Sequence, residues 1–204
     1  MHDRKPITVE WSLAPEAIRD LAAGRSGRVV AITGPVGAGK STLAARLSSC
    51  IVSTDSYLPD YDRVPYERRD DPELADLARL AADLHALASG NPAMIPVWSF
   101  HTHRREGERP IPAPAPGELV VCEGLHALHS PAADAAHLRV YVDAPAGVRW
   151  ARWEILETTG VRGWGPAVAK EFFDAVAEPT FRRWSTALRA SADVVVSNPI
   201  GTPT

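Results

Sequence analysis

Residues 34–41 read Gly-Pro-Val-Gly-Ala-Gly-Lys-Ser. They fit the pattern G-x-x-x-x-G-K-[ST] at every fixed position. Such a run constrains the chain more than any other feature. The glycines let backbone N–H groups converge on an anion with no Cβ in the way. A helix starting at the end of the run adds its N-terminal amides and dipole. Gly34, Pro35, Val36, Gly37, Ala38 and Gly39 are therefore expected to cradle phosphates. Lys40 is expected to reach the β- and γ-phosphates, Ser41 to ligate Mg²⁺, and Thr42 to extend the cradle. The ligand this predicts is ATP with Mg²⁺.

The flanking pattern agrees. Arg28–Thr33 is a short β-branched run bounded by glycines, which predicts a buried strand before the motif. A helix is expected from about Gly39 to Ser49. Further strands are predicted at Cys50–Ser53, Met94–Trp98, Leu119–Cys122, Leu138–Val142 and Asp193–Val196. Helices are predicted at Leu13–Ala23, Pro72–Ala88, Pro145 to about Glu157, and Pro166–Ala190 with a break near Pro179. In the first, Leu13, Ala17, Ile18 and Leu21 form the expected buried stripe. Asp55–Asp71 and Ser99–Pro116 read as irregular loops. Strands alternating with helices predict an α/β fold, three layers α/β/α around a mostly parallel sheet, with a small helical lid near residues 158–165. One domain over residues 1–204 is expected.

In such sheets ligands bind at the carboxyl ends of the strands. Asp55, Glu123 and Asp143 fall just past predicted strand ends. Glu123 closes the run LVVCE and is the expected second metal-holding acid; a helix cap or a salt-bridged structural acid is the alternative. Composition excludes other classes. The net charge is −3, so no bulk basic charge points to nucleic acid. No apolar stretch approaches the roughly 20 residues of a membrane span, and Met1–Glu10 is polar with no signal-peptide core. Cys50 and Cys122 sit in apolar runs and read as buried reduced thiols. A cytoplasmic protein is expected, with self-association left open.

Several blocks in order carry a resemblance: GPVGAGKST, then STDSY (Ser53–Tyr57), RDDPELAD (Arg69–Asp76), IPVWSFHTHRR (Ile95–Arg105), VVCEG (Val120–Gly124) and VYVDAP (Val140–Pro145). From about Val29 onward the chain resembles the uridine kinase and phosphoribulokinase group of P-loop kinases, which includes pantothenate and nicotinamide riboside kinases. The resemblance implies γ-phosphoryl transfer from ATP to a hydroxyl of a nucleoside, sugar or vitamin precursor. It implies Asp55 as general base on that hydroxyl, with an Asx turn or N-cap as the alternative reading of the residue. It implies that Asp70 binds the acceptor's hydroxyls; its neighbour Asp71 could take that role or cap the following helix. Trp98 and His103 match the aromatic and the histidine that contact the nucleobase in that family, and Arg105 the arginine of the same block; core packing is the alternative for Trp98 and a surface-loop position for His103. Arg152 matches a nucleotide-binding arginine on the helix leading to the lid, and Arg162 the arginine of a lid R-G pair.

The chain also departs from that pattern. Leu156 and Trp164 stand where lid arginines are usual, Trp98 replaces a tyrosine and Ser99 an aspartate. Arg182 or Arg183 could compensate for the missing lid charges. Two other functions compete. A nucleoside monophosphate kinase would want more arginines around its acceptor, which Arg68, Arg69, Arg104 and Arg105 could supply. A P-loop switch or ATPase would move a partner, but no guanine-reading N-K-x-D motif is present.

Overall fold

The computed structural model describes residues 5–199. Its centre is a sheet of six parallel strands: β1 (Ile7–Glu10), β2 (Val29–Thr33), β3 (Cys50–Ser53), β6 (Val120–Glu123), β7 (Leu138–Asp143) and β8 (Val194–Ser197), in the spatial order β1-β8-β7-β2-β6-β3. All five residues of β2 are buried. Strands buried on both faces read as unbroken apolar runs, which is why the sequence marks them so clearly.

Alternate side chains of these strands enter two different cores. Val30, Ile32, Val121, Val140 and Val194 pack with Ala14, Ile18 and Ala22 of α1 (Ala14–Ala23) and with Leu43, Ala44 and Leu47 of α2 (Lys40–Leu47). Val29, Ala31, Val52, Cys122 and Val195 pack with Leu80, Leu84 and Leu87 of α3 (Leu77–Ala88) on the other face. The fold is therefore the expected three-layer α/β/α arrangement. The buried stripe of α1 runs through Ala14, Ile18 and Ala22, at i, i+4 and i+8, and Leu13 stays exposed. The stripe expected on Leu13 and Leu21 is rotated by about one residue. Among the described residues no helix is long and apolar enough to cross a membrane.

Three further expectations need correction. Ile7–Glu10 forms edge strand β1, which pairs parallel with β8, although the segment looks merely polar. The segment expected as loop after Ser99 contains β5 (Arg104–Ile111), which pairs antiparallel with β4 (Ala93–Ser99) in a hairpin. Nearly all of β5 is exposed, so its sequence RREGERPI carries no alternating apolar signal. The helix expected from Pro72 begins only at Leu77. Pro72–Leu74 is a separate 3₁₀ turn capped by Asp71, and Asp76 caps α3 by accepting from Arg79 N at 3.2 Å. In the sheet, β3 does not adjoin β2. Strand β6 lies between them, with Glu123 opposite Ile32 on one side and Ser53 on the other.

The carboxyl ends of β2, β6 and β3 thus open on one edge. After β7 come α4 (Ala146–Thr158), α5 (Pro166–Phe172) and α6 (Glu178–Ser191), the last packing Leu188 into the core on the α3 face. A π-helical turn, Phe173–Ala177, joins α5 to α6. It delivers Pro179 to the first turn of α6, where a missing N–H costs nothing. This is the break expected there.

Arg149 ties this layer to the nucleotide loop. Its guanidinium forms a bidentate pair with Glu178, and also donates to Ala144 O (2.9 Å) and Val36 O (3.3 Å). Its side chain is 6% exposed and that of Glu178 is 16% exposed. Removing one member of such a pair leaves a buried charge without its partner. Glu178→Ala is expected to cost about 3 kcal/mol in urea unfolding, as a buried pair broken on one side does. Because Val36 belongs to the nucleotide loop, the variant should also raise KM for ATP.

Candidate active site

The glycine-rich loop connects β2 to α2. Gly34 has φ +150°, and a Cβ there would lie 2.2 Å from Val142 O; Gly37 has φ +74°, and a Cβ there would lie 2.4 Å from Arg149 O. Both positions need left-handed backbone in a space that holds no side chain. Behind the loop, Arg152 donates to Gly37 O (3.0 Å), Ala38 O (3.2 Å) and Asn198 Oδ1 (3.1 Å), and Asn198 Nδ2 donates to Ala38 O at 2.8 Å. These bonds hold the loop's carbonyls.

That cavity has a volume of about 440 Å³, and Gly37, Gly39, Lys40, Ser41, Thr42, Asp55, Asp70, Trp98, His103, Glu123, Arg152 and Arg162 are among the residues that line it. The size is typical of a small-molecule site. Nearly every residue singled out by sequence therefore meets in one place. Arg105 does not line the cavity. It donates to Leu58 O (3.0 Å) and Tyr57 O (2.7 Å), and its backbone N–H to Asp60 Oδ1 (2.8 Å), so it braces the segment after β3.

Lys40 opens α2 and is only 8% exposed. Its Nζ donates to Pro35 O at 3.0 Å. Burial pushes its pKa down, while Glu123 and Asp55 pull it back up. Glu123 is 6% exposed. Burial and the charge of Asp55 raise its pKa, opposed by Lys40 and by the hydroxyls of Ser53 and Ser41. Ser41 and Glu123 therefore face each other across the end of β6. Asp55 sits in the 3₁₀ turn Thr54–Tyr57, whose cap is Ser53: its Oγ accepts from Asp55 N at 3.3 Å. The cap role weighed for Asp55 belongs to Ser53, and the Asp55 carboxylate lines the cavity.

The two adjacent aspartates divide. Asp71 accepts from Arg68 Nε (3.2 Å) and Nη2 (3.1 Å) and caps the turn Pro72–Leu74. Asp70 lines the cavity and accepts the Tyr61 hydroxyl at 2.9 Å. Burial raises its pKa to about 6, and Asp55 adds to the rise; the Tyr61 hydrogen bond opposes it. Trp98 is 8% exposed and donates Nε1 to Pro59 O at 3.2 Å, so it serves both the core and the cavity wall. His103 closes the β4–β5 turn with φ +55°, and its N–H donates to Ser99 O at 2.8 Å. Burial and then Arg69 lower its pKa to about 4, so the ring is neutral at pH 7. The Arg162 guanidinium lies 4.0 Å from the Phe100 ring centroid and 5.4 Å from that of Trp153.

Sequence reasoning missed Tyr61, Trp11, Asn198 and Phe172, all of which line the cavity. Tyr61 lies in a run read as irregular loop, and Trp11 and Asn198 follow the neighbouring strands β1 and β8, from opposite ends of the chain. No local pattern announces any of them.

The raised pKa of Asp70 has a consequence for stability. Between about 4 and about 6 the folded protein holds a proton that the unfolded chain has lost, so stability falls as pH rises through that window. Above pH 6 the penalty is constant, about 2–3 kcal/mol for a shift from 3.8 to about 6. Asp70→Asn, which still accepts from Tyr61, is expected to stabilise the fold by about that amount at pH 7.5. The gain should vanish below pH 4, as read by urea unfolding at both pH values.

Comparison with known proteins places this geometry in a family. The model of the Phosphoribulokinase / Uridine kinase family matches residues 63–198. A uridine kinase from Deinococcus deserti is 30% identical over 182 residues, spanning 82% of this chain and 86% of that protein. A uridine kinase from Clostridium botulinum is 28% identical over 181 residues, with the same coverage. Among solved structures, a protein assigned as a fructose transport system kinase from Silicibacter sp. TM1040 superposes with a TM-score of 0.66 at 21% identity, covering 88% of this chain and 97% of that one. One assigned as a uridine kinase from Bacillus stearothermophilus gives 0.65 at 16% identity, covering 91% and 96%. These two share the fold. The chain belongs to the phosphoribulokinase/uridine kinase family, and is an ATP-dependent, uridine kinase-like phosphotransferase with a hydroxyl acceptor.

Proposed function

We propose that this chain transfers the γ-phosphoryl group of ATP to a hydroxyl of a small molecule in the cytoplasm, with Asp55 as general base. The observation that carries the reading is the convergence of Lys40, Ser41, Glu123 and Asp55 at the phosphate end of a cavity whose other end holds Asp70 and Arg162. Phosphoryl transfer asks for little covalent chemistry from the protein. It asks for position and for charge placed against the moving phosphoryl group. The loop amides and the start of α2 hold the phosphates, and Lys40 meets the β/γ oxygens. Asp55 orients the acceptor hydroxyl and takes its proton. Asp70 and Arg162 position the acceptor.

Ser41 and Glu123 fit a role in holding Mg²⁺. The donor set is one hydroxyl and one buried carboxylate, and Mg²⁺ takes few protein ligands beside phosphate oxygens and water. When bound, the ion supplies charge neutralisation at the phosphates. The described residues act as one catalytic unit, in which the turn near residues 159–165 serves as a lid that keeps water from the phosphoryl group.

The monophosphate-kinase reading loses support on the placement of its arginines. Arg68 is paired with Asp71 and Glu73, Arg104 with Asp62, Arg105 with backbone carbonyls, and Arg69 lies over the Tyr61 and Tyr66 rings. None of the four lines the cavity.

A coupled ADP-release assay with Mg-ATP and a panel of alcohols tests the reading. An acceptor should accelerate ADP release. Asp55→Asn should cut kcat on that acceptor by about 10²-fold or more with little change in ATP affinity. Equal loss of ATP binding would make Asp55 a structural or metal residue. Lys40→Ala should abolish transfer altogether.

A further inference from the structure

The acceptor end of the cavity is walled by aromatic rings that pack on one another. His103 and Trp164 stack with centroids 4.2 Å apart and planes 9° apart. Trp164 also meets Phe172 at 4.6 Å, and Tyr61 meets Trp98 at 5.0 Å. The stack does not hold Trp164 alone. Glu157, 5% exposed, accepts from Trp164 N (3.1 Å), Gly165 N (3.0 Å) and Trp153 Nε1 (2.9 Å). Gly163 N donates to Phe100 O at 3.2 Å, and a Cβ on Gly163 would lie 2.8 Å from His101 Cα. The turn carrying Trp164 is therefore seated on the tip of the β4–β5 hairpin, and its indole is fixed through its own backbone.

The polar groups at this end are few. The Trp98 and Trp153 indole N–H groups are committed to Pro59 O and Glu157, and the Tyr61 hydroxyl to Asp70. The one side-chain amide lining the cavity, Asn198, is committed to the nucleotide loop and Arg152. The charged groups left at this end to meet an acceptor are the Asp55 and Asp70 carboxylates and the Arg162 guanidinium; the neutral His103 ring adds one donor and one acceptor, and the Trp164 indole one donor. Carboxylates accept from hydroxyls and a guanidinium donates to them. A nucleobase needs donors and acceptors matched along its edge, and leaving those groups unpaired in a dry pocket is costly. Trp164 covers the face of His103, so no base can stack on that ring. The C–H groups of a sugar, by contrast, carry the partial positive charge that aromatic faces attract.

We propose that the acceptor is a free monosaccharide or polyol, and that Trp164 is the residue that shuts out a nucleobase. This rests on the kinase reading above. The acceptor lays its C–H face on the aromatic wall and gives its hydroxyls to Asp70 and Arg162. The reacting hydroxyl loses its proton to Asp55. Its oxygen bonds to the γ-phosphorus as the bond from that phosphorus to the bridging oxygen breaks, leaving ADP.

The test compares free pentoses, hexoses and their alditols with uridine, cytidine and adenosine, under Mg-ATP, in the wild type, Trp164→Ala and Trp164→Phe. The wild type should use at least one free sugar or polyol with kcat/KM about tenfold or more above every nucleoside. Trp164→Ala should narrow that ratio by about tenfold or more, through gained nucleoside turnover, and Trp164→Phe should preserve it. Nucleoside turnover by the wild type equal to or above that of the best sugar would overturn the proposal and leave the kinase reading intact. So would a ratio unmoved in a folded Trp164→Ala. If ATP binds but no alcohol of either class accelerates ADP release, the kinase reading fails and the proposal fails with it.

Discussion

One ammonium and two carboxylates share a dry pocket at the end of three parallel strands, and much of the molecule exists to keep them there. Burial lowers the pKa of Lys40 and raises that of Glu123. Each shifts the other back toward its charged form, and Asp55 adds a second negative charge to both balances. The strand register makes this meeting unavoidable. Glu123 pairs across to Ile32 on the loop-bearing strand and to Ser53 on the strand that ends at Asp55. Slipping one strand by a residue would turn each side chain to the opposite face of the sheet. The continuous apolar runs that fill both cores therefore also set the chemistry.

Around that pocket the chain places charge where it holds backbone. Arg149 and Arg152 clasp carbonyls of the nucleotide loop, and Glu178 and Asn198 complete their bonds. A phosphate cradle is built from N–H groups, so its carbonyls must find donors elsewhere. These two arginines supply them. They hold the shape of the loop.

The sequence made the nucleotide end legible because that end is local. Gly34 to Ser41 is one unbroken stretch, and the strand and helix beside it carry their own apolar periods. Asp55 and Glu123 could be found because parallel strands end where ligands bind. The acceptor end was harder, since it is made of pairs distant in sequence. Tyr61 meets Asp70 from an irregular loop, Trp164 meets His103 across the hairpin tip, and Glu157 organises three N–H groups from two segments. Strand β5 escaped notice for a related reason. It is held by pairing with β4 and shows almost no apolar face, so its residues record solvent rather than fold. Proline at residue 72 looked like a helix start, but the Asp76 cap won, because its carboxylate satisfies an N–H that the turn before it leaves open.

That contrast bears on how such a fold changes substrate. The nucleotide end is made of backbone, and few substitutions there leave the loop able to close, as the contacts behind Gly34 and Gly37 make plain. The acceptor end is made of side chains on a hairpin tip and a short turn, fixed by one buried carboxylate. Exchanging an arginine for a tryptophan at such a place removes a charge and adds a flat apolar surface without disturbing the sheet. The indole then needs a partner, and His103 provides it only as a neutral ring, a state that burial and Arg69 enforce. A charged imidazole would be costly in that enclosed wall. Asp55, Asp70 and Arg162 line the same cavity, Asp70 holding the Tyr61 hydroxyl and Arg162 lying on the Phe100 ring.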